Sequence, residues 1–142
     1  RQNLPRLTEV SMVDGIRRGG YVLAEGVDPK AVIVATGSET SLAMEAHHAL
    51  AAEGISTRVV SMPCTNVFDR QPRSYQDSVL PLDLPAVAVE AAHPDFWRKY
   101  VGRTGAVVGI ASFGESAPAK ALYEHFGITT RRVCHEVKGL LA

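Results

Sequence analysis

The sequence predicts an α/β domain in which a largely parallel sheet lies between two layers of helices. Strand patterns alternate with helical patterns along the chain, which is typical of βαβ units joined by right-handed crossovers. Residues 31–35 (AVIVA) are apolar on both faces, as expected for a strand that helices cover on both sides. A helix with one buried face follows, because apolar residues recur at positions 42, 43, 46, 49 and 50.

The other elements are marked by apolar runs between turn residues. Residues 1–18 have no sustained period and contain Pro5, which indicates a linker or arm. Four further strands are expected over residues 19–24, 56–62, 86–91 and 105–110. Further helices are expected over residues 74–80, from Pro94 through the aromatic residues that follow it, over residues 117–126, and from Thr129 or Thr130 onward.

Two strand-to-helix corners, at residues 36–39 and 114–117, are the first candidate binding sites. Both follow strands at the sheet edge where open α/β sheets usually bind ligands, and the free N–H groups of a helix start can bind an anion. Neither corner has the glycine spacing of a dinucleotide or triphosphate loop. The local interpretation is therefore structural: Ser38 and Ser116 cap their helices, while Glu39 and Glu115 favour the helix dipole.

Glu90 and His93 form the best local pair of an acid and a histidine. Glu90 ends an apolar strand, so its carboxylate must find a partner or reach the sheet edge. An ion pair or a contact at a domain interface is favoured there over a catalytic role with a shifted pKa. No nucleophile accompanies His93, and the nucleophile-elbow pattern is absent from the sequence. His47 and His48 are adjacent on a helix and are expected at the surface, unable to chelate one ion together.

Composition excludes several classes of protein. The 142 residues carry 15 Lys and Arg against 15 Asp and Glu, so no net positive charge favours nucleic acid. No apolar run approaches the roughly 20 residues of a membrane span, and a cytoplasmic location is expected. Cys64 and Cys134 stand far apart and are expected to be buried thiols, not a disulfide or a zinc site. Because the chain opens on Arg1 and not on Met, a piece of a longer polypeptide is expected.

Six short motifs occur in an order and spacing that resemble the carboxyl-terminal domain of transketolases, and this resemblance covers essentially the whole chain. They are RQNL at residues 1–4, GGYVL at 19–23, ATGSE at 35–39, VVSMP at 59–63, VLP at 79–81 and FGESAP at 113–118. The resemblance implies a three-layer αβα sandwich with a mostly parallel five-stranded sheet and one antiparallel edge strand, which residues 19–24 would supply. It divides the chain into an arm at residues 1–18 and the α/β domain at residues 19–142.

The resemblance also implies a function that lies largely outside these residues. Transketolases are homodimers that use thiamine diphosphate and a divalent cation (Mg or Ca) to transfer a two-carbon ketol unit between sugar phosphates of the pentose phosphate pathway. Their cofactor, metal and catalytic groups belong to the two preceding domains. This chain would therefore bind no cofactor or metal and be inactive alone, in contact with those domains and with a second subunit. Arg1 matches the family arginine that contacts the substrate phosphate, a role that suits a guanidinium.

Two other functions remain open on the residues alone. The two corners could hold a nucleotide or another anion, which would make the chain a regulatory binding module. An autonomous scaffold protein is the third hypothesis.

Overall fold

The computed structural model describes residues 12–142, which form alternating strands and helices. The strands are β1 (Tyr21–Glu25), β2 (Ala31–Ala35), β3 (Thr57–Ser61), β4 (Ala86–Val89) and β5 (Ala106–Val108). The α-helices are α1 (Val13–Arg17), α2 (Glu39–Ala52), α3 (Thr65–Phe68), α4 (Arg73–Val79), α5 (Arg98–Val101), α6 (Ala119–Phe126) and α7 (Thr130–Leu141). A 3-10 helix covers Pro94–Trp97 directly before α5.

The strands form one sheet in the order β1-β3-β2-β4-β5. The central strand β2 pairs in parallel with β3 on one side and with β4 on the other, and β5 pairs in parallel with β4. Strand β1 is antiparallel to β3 at the edge, with a bulge between Val22 and Ala24. The structure therefore confirms the mostly parallel five-stranded sheet with one antiparallel edge strand.

Each face of the sheet carries its own apolar cluster, which is why helices are needed on both sides. On one face, Ile33 lies in a cluster with Leu50 of α2 and Val137 of α7. On the other face, Val34 lies in a cluster with Trp97 and with side chains of α3, α4 and α5. This arrangement is the predicted three-layer αβα sandwich.

Helix α2 packs on the sheet through small side chains. Ala43, Ala46 and Leu50 are fully buried, whereas Ala49, which the sequence placed on the same face, is exposed. The start of α2 turns inward instead, since Glu39 and Thr40 are also buried. The buried face of α2 therefore extends to the first two residues of the helix, which are polar.

Two segments differ from the expectation of an irregular arm followed by a regular aromatic helix. Residues 13–17 of the predicted arm form the short helix α1. The aromatic helix is split, because a 3-10 turn that begins at Pro94 precedes the single turn of α5, which Gly102 ends with a φ of +72°. Trp97 and Val101 are buried as predicted, but Phe96 remains more than half exposed.

The adjacent histidines of α2 have different environments. His48 is exposed, whereas His47 is half-buried and its Nδ1 lies 2.9 Å from the Thr57 hydroxyl. Burial, and secondarily the nearby His48, lowers the pKa of His47 below its ordinary value. The expectation of two surface histidines thus holds for His48 only, because the side chain of His47 reaches back to β3.

We expect Ala46→Leu to destabilise the domain, because the fully buried Ala46 methyl leaves no room for three more carbon atoms against the sheet. Overpacking of this kind costs about 1–3 kcal/mol. The matched control is Ala49→Leu in the same helix, which adds the same side chain on the exposed face and should change the free energy of unfolding little. Urea denaturation of both variants checks this, and equal effects would contradict the described packing of α2.

Candidate functional site

The sheet opens a crevice at its carboxyl edge between β2 and β4. The chain leaves β2 toward β3 on one side of the sheet and leaves β4 toward β5 on the other. Neighbouring parallel strands whose connections diverge form a topological switch point, which is where open α/β sheets bind ligands. Thr36 follows β2 and Glu90 follows β4 at this point, so the two residues flank the crevice.

A groove of about 370 Å³ lies at the crevice. Its lining comes from the ends of three parallel strands and from the short helices that follow them, and consists of Thr36, Met62, Pro63, Cys64, Thr65, Asn66, Glu90, Ala92, Phe96 and Trp97. Cys64 is exposed here, so the expectation that both cysteines are buried is wrong for Cys64 and right for Cys134. Within residues 12–142, the lining includes carboxylate, hydroxyl and amide groups and no Lys or Arg.

Glu90 is the unusual residue of the groove. Its Oε2 atom is buried, and no hydrogen-bond donor within residues 12–142 reaches it. Burial, and secondarily the charge of Glu39, raises the pKa of Glu90 from 4.5 to about 7. The sequence placed Glu90 at the end of an apolar strand in need of a partner, and the described part of the chain leaves that need unmet.

Glu39 lies at the same edge but is fully satisfied. Only 2% of Glu39 is exposed, and its carboxylate accepts hydrogen bonds from the Tyr123 hydroxyl and, at 3.1 Å, from the Ser38 hydroxyl. The Ser38 oxygen also lies 3.1 Å from the Tyr123 oxygen. These three side chains fasten α6 to the start of α2. Because Tyr123 is 84 residues from Glu39 in sequence, no local pattern could have identified it as the partner of this acid.

The first corner has the predicted turn but not the predicted cap. Gly37 has a φ of +54°, a conformation that glycine adopts without strain, and the Glu39 N–H donates to the Thr36 carbonyl at 3.2 Å. Ser38 makes no capping hydrogen bond to the helix backbone, because its hydroxyl is directed to Glu39 and Tyr123. An anion bound at this corner would face the carboxylates of Glu39 and Glu90, which argues against a nucleotide or phosphate site.

The second corner is a long exposed loop and not a tight turn. Residues 111–118 are all exposed, and Phe113 is 97% exposed. Helix α6 begins at Ala119 with Pro118 at the position before it, so Ser116 lies too early in the chain to cap it. A β carbon on Gly114 would meet no atom within 4 Å, so nothing in the described fold requires glycine there. The cap predicted at Ser116 is therefore wrong. Of the two residues expected to begin the last helix, Thr129 and Thr130, it is Thr129 that caps it, with a 3.2 Å hydrogen bond from the Arg132 N–H.

His93 does not join Glu90 in a catalytic pair. Its Nδ1 atom accepts a 3.4 Å hydrogen bond from the Asp95 N–H and lies 3.6 Å from the Asp95 carboxylate, so His93 caps the 3-10 helix. The imidazole is largely exposed, on the solvent side of the turn. The described contacts of His93 are thus with Asp95, and no donor among residues 12–142, His93 included, reaches the Oε2 atom of Glu90.

Neither a metal nor a diphosphate group fits the part of the chain that is described. Over residues 12–142, no three His, Cys, Asp or Glu side chains converge in a way that could hold a metal ion. From residue 12 onward, the chain offers carboxylates and no Lys or Arg to a diphosphate in the crevice. Arg1, the one site residue that the resemblance supplies, lies outside the described residues.

A larger cavity of about 480 Å³ lies at the opposite, amino-terminal edge of the sheet, near Leu82 and Thr104. The cation in its lining is Lys99, whose ammonium group is already paired with Asp69. Among the described residues, no buried side-chain atom without a hydrogen-bond partner lines this cavity, so it lacks the unsatisfied group that distinguishes the crevice. From residue 12 onward, the helices are too short or too polar to cross a bilayer.

Comparisons with known proteins point to one family. The family model for the transketolase-like TK C-terminal domain matches residues 19–129. Transketolase 1 of Escherichia coli is 50% identical over 145 residues, a match that covers 99% of this chain and 22% of the relative. The solved transketolase of Leishmania mexicana is 46% identical with a TM-score of 0.83, over 89% of this chain and 18% of that one. A split-gene transketolase described as an inactive beta4 tetramer is 31% identical with a TM-score of 0.76, over 99% of this chain and 48% of that one.

We expect Glu90→Gln to stabilise the chain in a pH-dependent way. A carboxyl whose pKa is raised favours folding below its unfolded pKa of 4.5, and this contribution is lost as the pH rises through about 7. The amide removes the cost of ionisation, so the variant should gain about 1–2 kcal/mol at pH 8.5, after allowance for the part of the side chain that water reaches. The gain should be smaller at pH 5.

Urea denaturation at the two pH values measures this difference. The matched control is Glu124→Gln on the exposed side of α6, which removes the same charge without relieving a buried carboxylate. A gain for Glu90→Gln that is the same at both pH values, or that the control reproduces, would contradict the assignment.

Proposed function

The chain belongs to the transketolase family as its C-terminal domain, and we propose that it supports ketol transfer carried out elsewhere in a longer transketolase polypeptide. The parent enzyme would move a two-carbon ketol unit from a ketose phosphate to an aldose phosphate. The observation that carries the proposal is the coverage of the matches: nearly the whole chain aligns with the E. coli relative, yet it spans 22% of that relative's length.

The chemistry of the described residues fits a supporting role. Among residues 12–142, the crevice has one carboxyl oxygen without a donor and no Lys or Arg in its lining, and His93 caps the 3-10 helix. The carboxyls would repel a diphosphate, and no three potential metal ligands converge within these described residues. We therefore assign thiamine diphosphate and its divalent cation, Mg or Ca, to the preceding domains of the parent.

The partners follow from the same assignment. The chain would contact the preceding domains and a second subunit of a homodimer, with sugar phosphates as the substrates of the assembly and the cytoplasm as its location. Residues 1–18 would act as the arm from the preceding domain and residues 19–142 as the α/β domain. The split-gene relative, a tetramer that is inactive, is consistent with a carboxyl-terminal piece that assembles but needs another part for activity.

Arg1 is proposed as the one substrate contact that this chain supplies. A guanidinium forms paired, charge-assisted hydrogen bonds with a phosphate, which a lysine cannot reproduce in geometry. Arg1 would bind the terminal phosphate of the sugar and so position the substrate without touching the reacting carbon atoms.

We expect the parent enzyme to transfer ketol units and the 142-residue chain alone to show none of this activity. The measurement is product formation from a ketose phosphate and an aldose phosphate, with thiamine diphosphate and Mg²⁺ supplied. Transfer by the chain alone would contradict the supporting role, and a parent without this activity would contradict the proposed function as a whole.

We expect Arg1→Gln in the parent to lower kcat/KM for phosphorylated sugars by about 10- to 100-fold, because a charge-assisted phosphate contact contributes roughly 1.5–3 kcal/mol. Steady-state kinetics with a phosphorylated acceptor and with the same acceptor lacking its phosphate checks this, since the second should lose little. Arg6→Gln is the control for charge in the same segment. Equal losses on both acceptors would contradict the phosphate contact.

A further inference from the structure

The loop at residues 111–118 follows β5 and lies at the same carboxyl edge of the sheet as the crevice. The chain leaves β5 beside the crevice, since the Glu90 N–H donates to the Val108 carbonyl and the Ile110 N–H donates to the Ala92 carbonyl. The approach is so close that a β carbon on Gly109 would lie 2.7 Å from the Ala92 oxygen. The loop then returns to α6, which is fastened to α2 at the other side of the crevice. We call this surface, made of the groove and residues 111–118, the carboxyl-edge face.

The carboxyl-edge face combines exposed aromatic side chains with an unsatisfied buried carboxyl. Phe113 is 97% exposed and Phe96 is 56% exposed. Aromatic side chains left in water in this way mark interaction surfaces when they adjoin a groove. In the groove that Phe96 also lines, the buried Oε2 atom of Glu90 lacks a donor among the residues that the structure describes. A protein surface with an apolar centre and a hydrogen-bond donor would account for both features, because it would cover the aromatic side chains and supply the donor that Glu90 lacks.

The charge of the carboxyl-edge face indicates which kind of surface can bind to it. Glu90 and Glu115 give the face negative charge, and the part of the groove lining that residues 12–142 supply includes no Lys or Arg. A second copy of the chain would bring the same acids opposite one another, which is unfavourable. An Arg or Lys side chain would instead supply the missing donor and the opposite charge.

We propose that the carboxyl-edge face docks another domain of the parent transketolase, which covers Phe113 and places an Arg or Lys side chain beside Glu90. This inference rests on the proposed function, because that domain lies in the part of the relatives, more than three quarters of their length, that this chain does not span. The occupant is thus a basic and apolar surface of the same polypeptide.

Footprinting with hydroxyl radicals tests the covering of Phe113 without any mutation. Oxidation of Phe113 should be about 10-fold slower in the parent than in the 142-residue chain, because the centre of a domain interface excludes water. Val27 and Leu82 are matched controls, 93% and 77% exposed, in loops at the opposite edge of the sheet. Their oxidation should be the same in the two proteins, and equal oxidation of Phe113 in both would overturn the proposal.

The effect of Glu90→Gln on stability tests whether an Arg or Lys side chain pairs with Glu90, because this effect should have opposite signs in the isolated chain and in the parent. At pH 8.5 the variant should be more stable than wild type in the isolated chain, where the carboxylate is unpaired. In the parent it should lower the melting temperature, since it removes an ion pair, while Glu124→Gln should alter neither protein. Stabilisation of both proteins by Glu90→Gln would overturn the proposed pairing.

Other occupants give different results in the same experiments. Protection of Phe113 that grows with the concentration of the isolated chain would identify a second copy. Faster oxidation of Phe113 after deletion of residues 1–11 from the chain would identify its own first segment. Either result overturns the proposal. Measuring ketol transfer by the wild-type parent distinguishes failure of the docking surface from failure of the proposed function. An active parent with a fully exposed Phe113 would reject the docking surface alone. An inactive parent would reject the proposed function.

Discussion

The burial of β2 on both faces is the constraint on which the rest of the structure depends. Each of its five residues is at most 1% exposed, and each strand edge is paired with a parallel neighbour. A strand of this composition leaves water only if helices cover both faces of the sheet, and its backbone groups are satisfied only by strands on both sides. The two helix layers and the central position of β2 follow from this. Polar residues are excluded from the sheet interior and gather at the ends of the strands, which is why the candidate site lies at an edge.

Two carboxylates at that edge illustrate how the same charge can have different roles. Glu39 is almost completely buried, yet the hydroxyls of Ser38 and Tyr123 bind it, so its burial joins two helices. Glu90 is less buried but has an oxygen without a donor in the described chain, and its pKa rises to about 7. A buried carboxylate without a partner costs several kcal/mol, which a compact domain tolerates where another surface completes the site. Glu39 therefore makes a structural contact inside the domain, whereas Glu90 needs a partner from outside the described residues.

The sequence predicted the parts of the fold that depend on short-range patterns. Strand β2 lies at the predicted residues, and Gly127 and Thr129 end one helix and begin the next as expected. The candidate site was predicted less well. The caps assigned to Ser38 and Ser116 were wrong for two reasons. The Ser38 hydroxyl is directed to Glu39 and Tyr123, a partner distant in sequence, and the helix after Ser116 begins only at Ala119. Local sequence also predicted a strand-to-helix corner at residues 114–117, where the chain instead forms a long exposed loop.

The sequence by itself determined the α/β class, the apolar central strand and the need of Glu90 for a partner, because periodicity, turn residues and an acid in an apolar run are local properties. Its motifs also determined the family that the chain resembles. The tertiary structure alone decided that Tyr123 satisfies Glu39, that Glu90 has no such donor in the described residues, and that Phe113 is exposed at the same edge of the sheet. These facts join residues from distant parts of the chain, and such contacts are set by the packing of layers and not by neighbours in sequence.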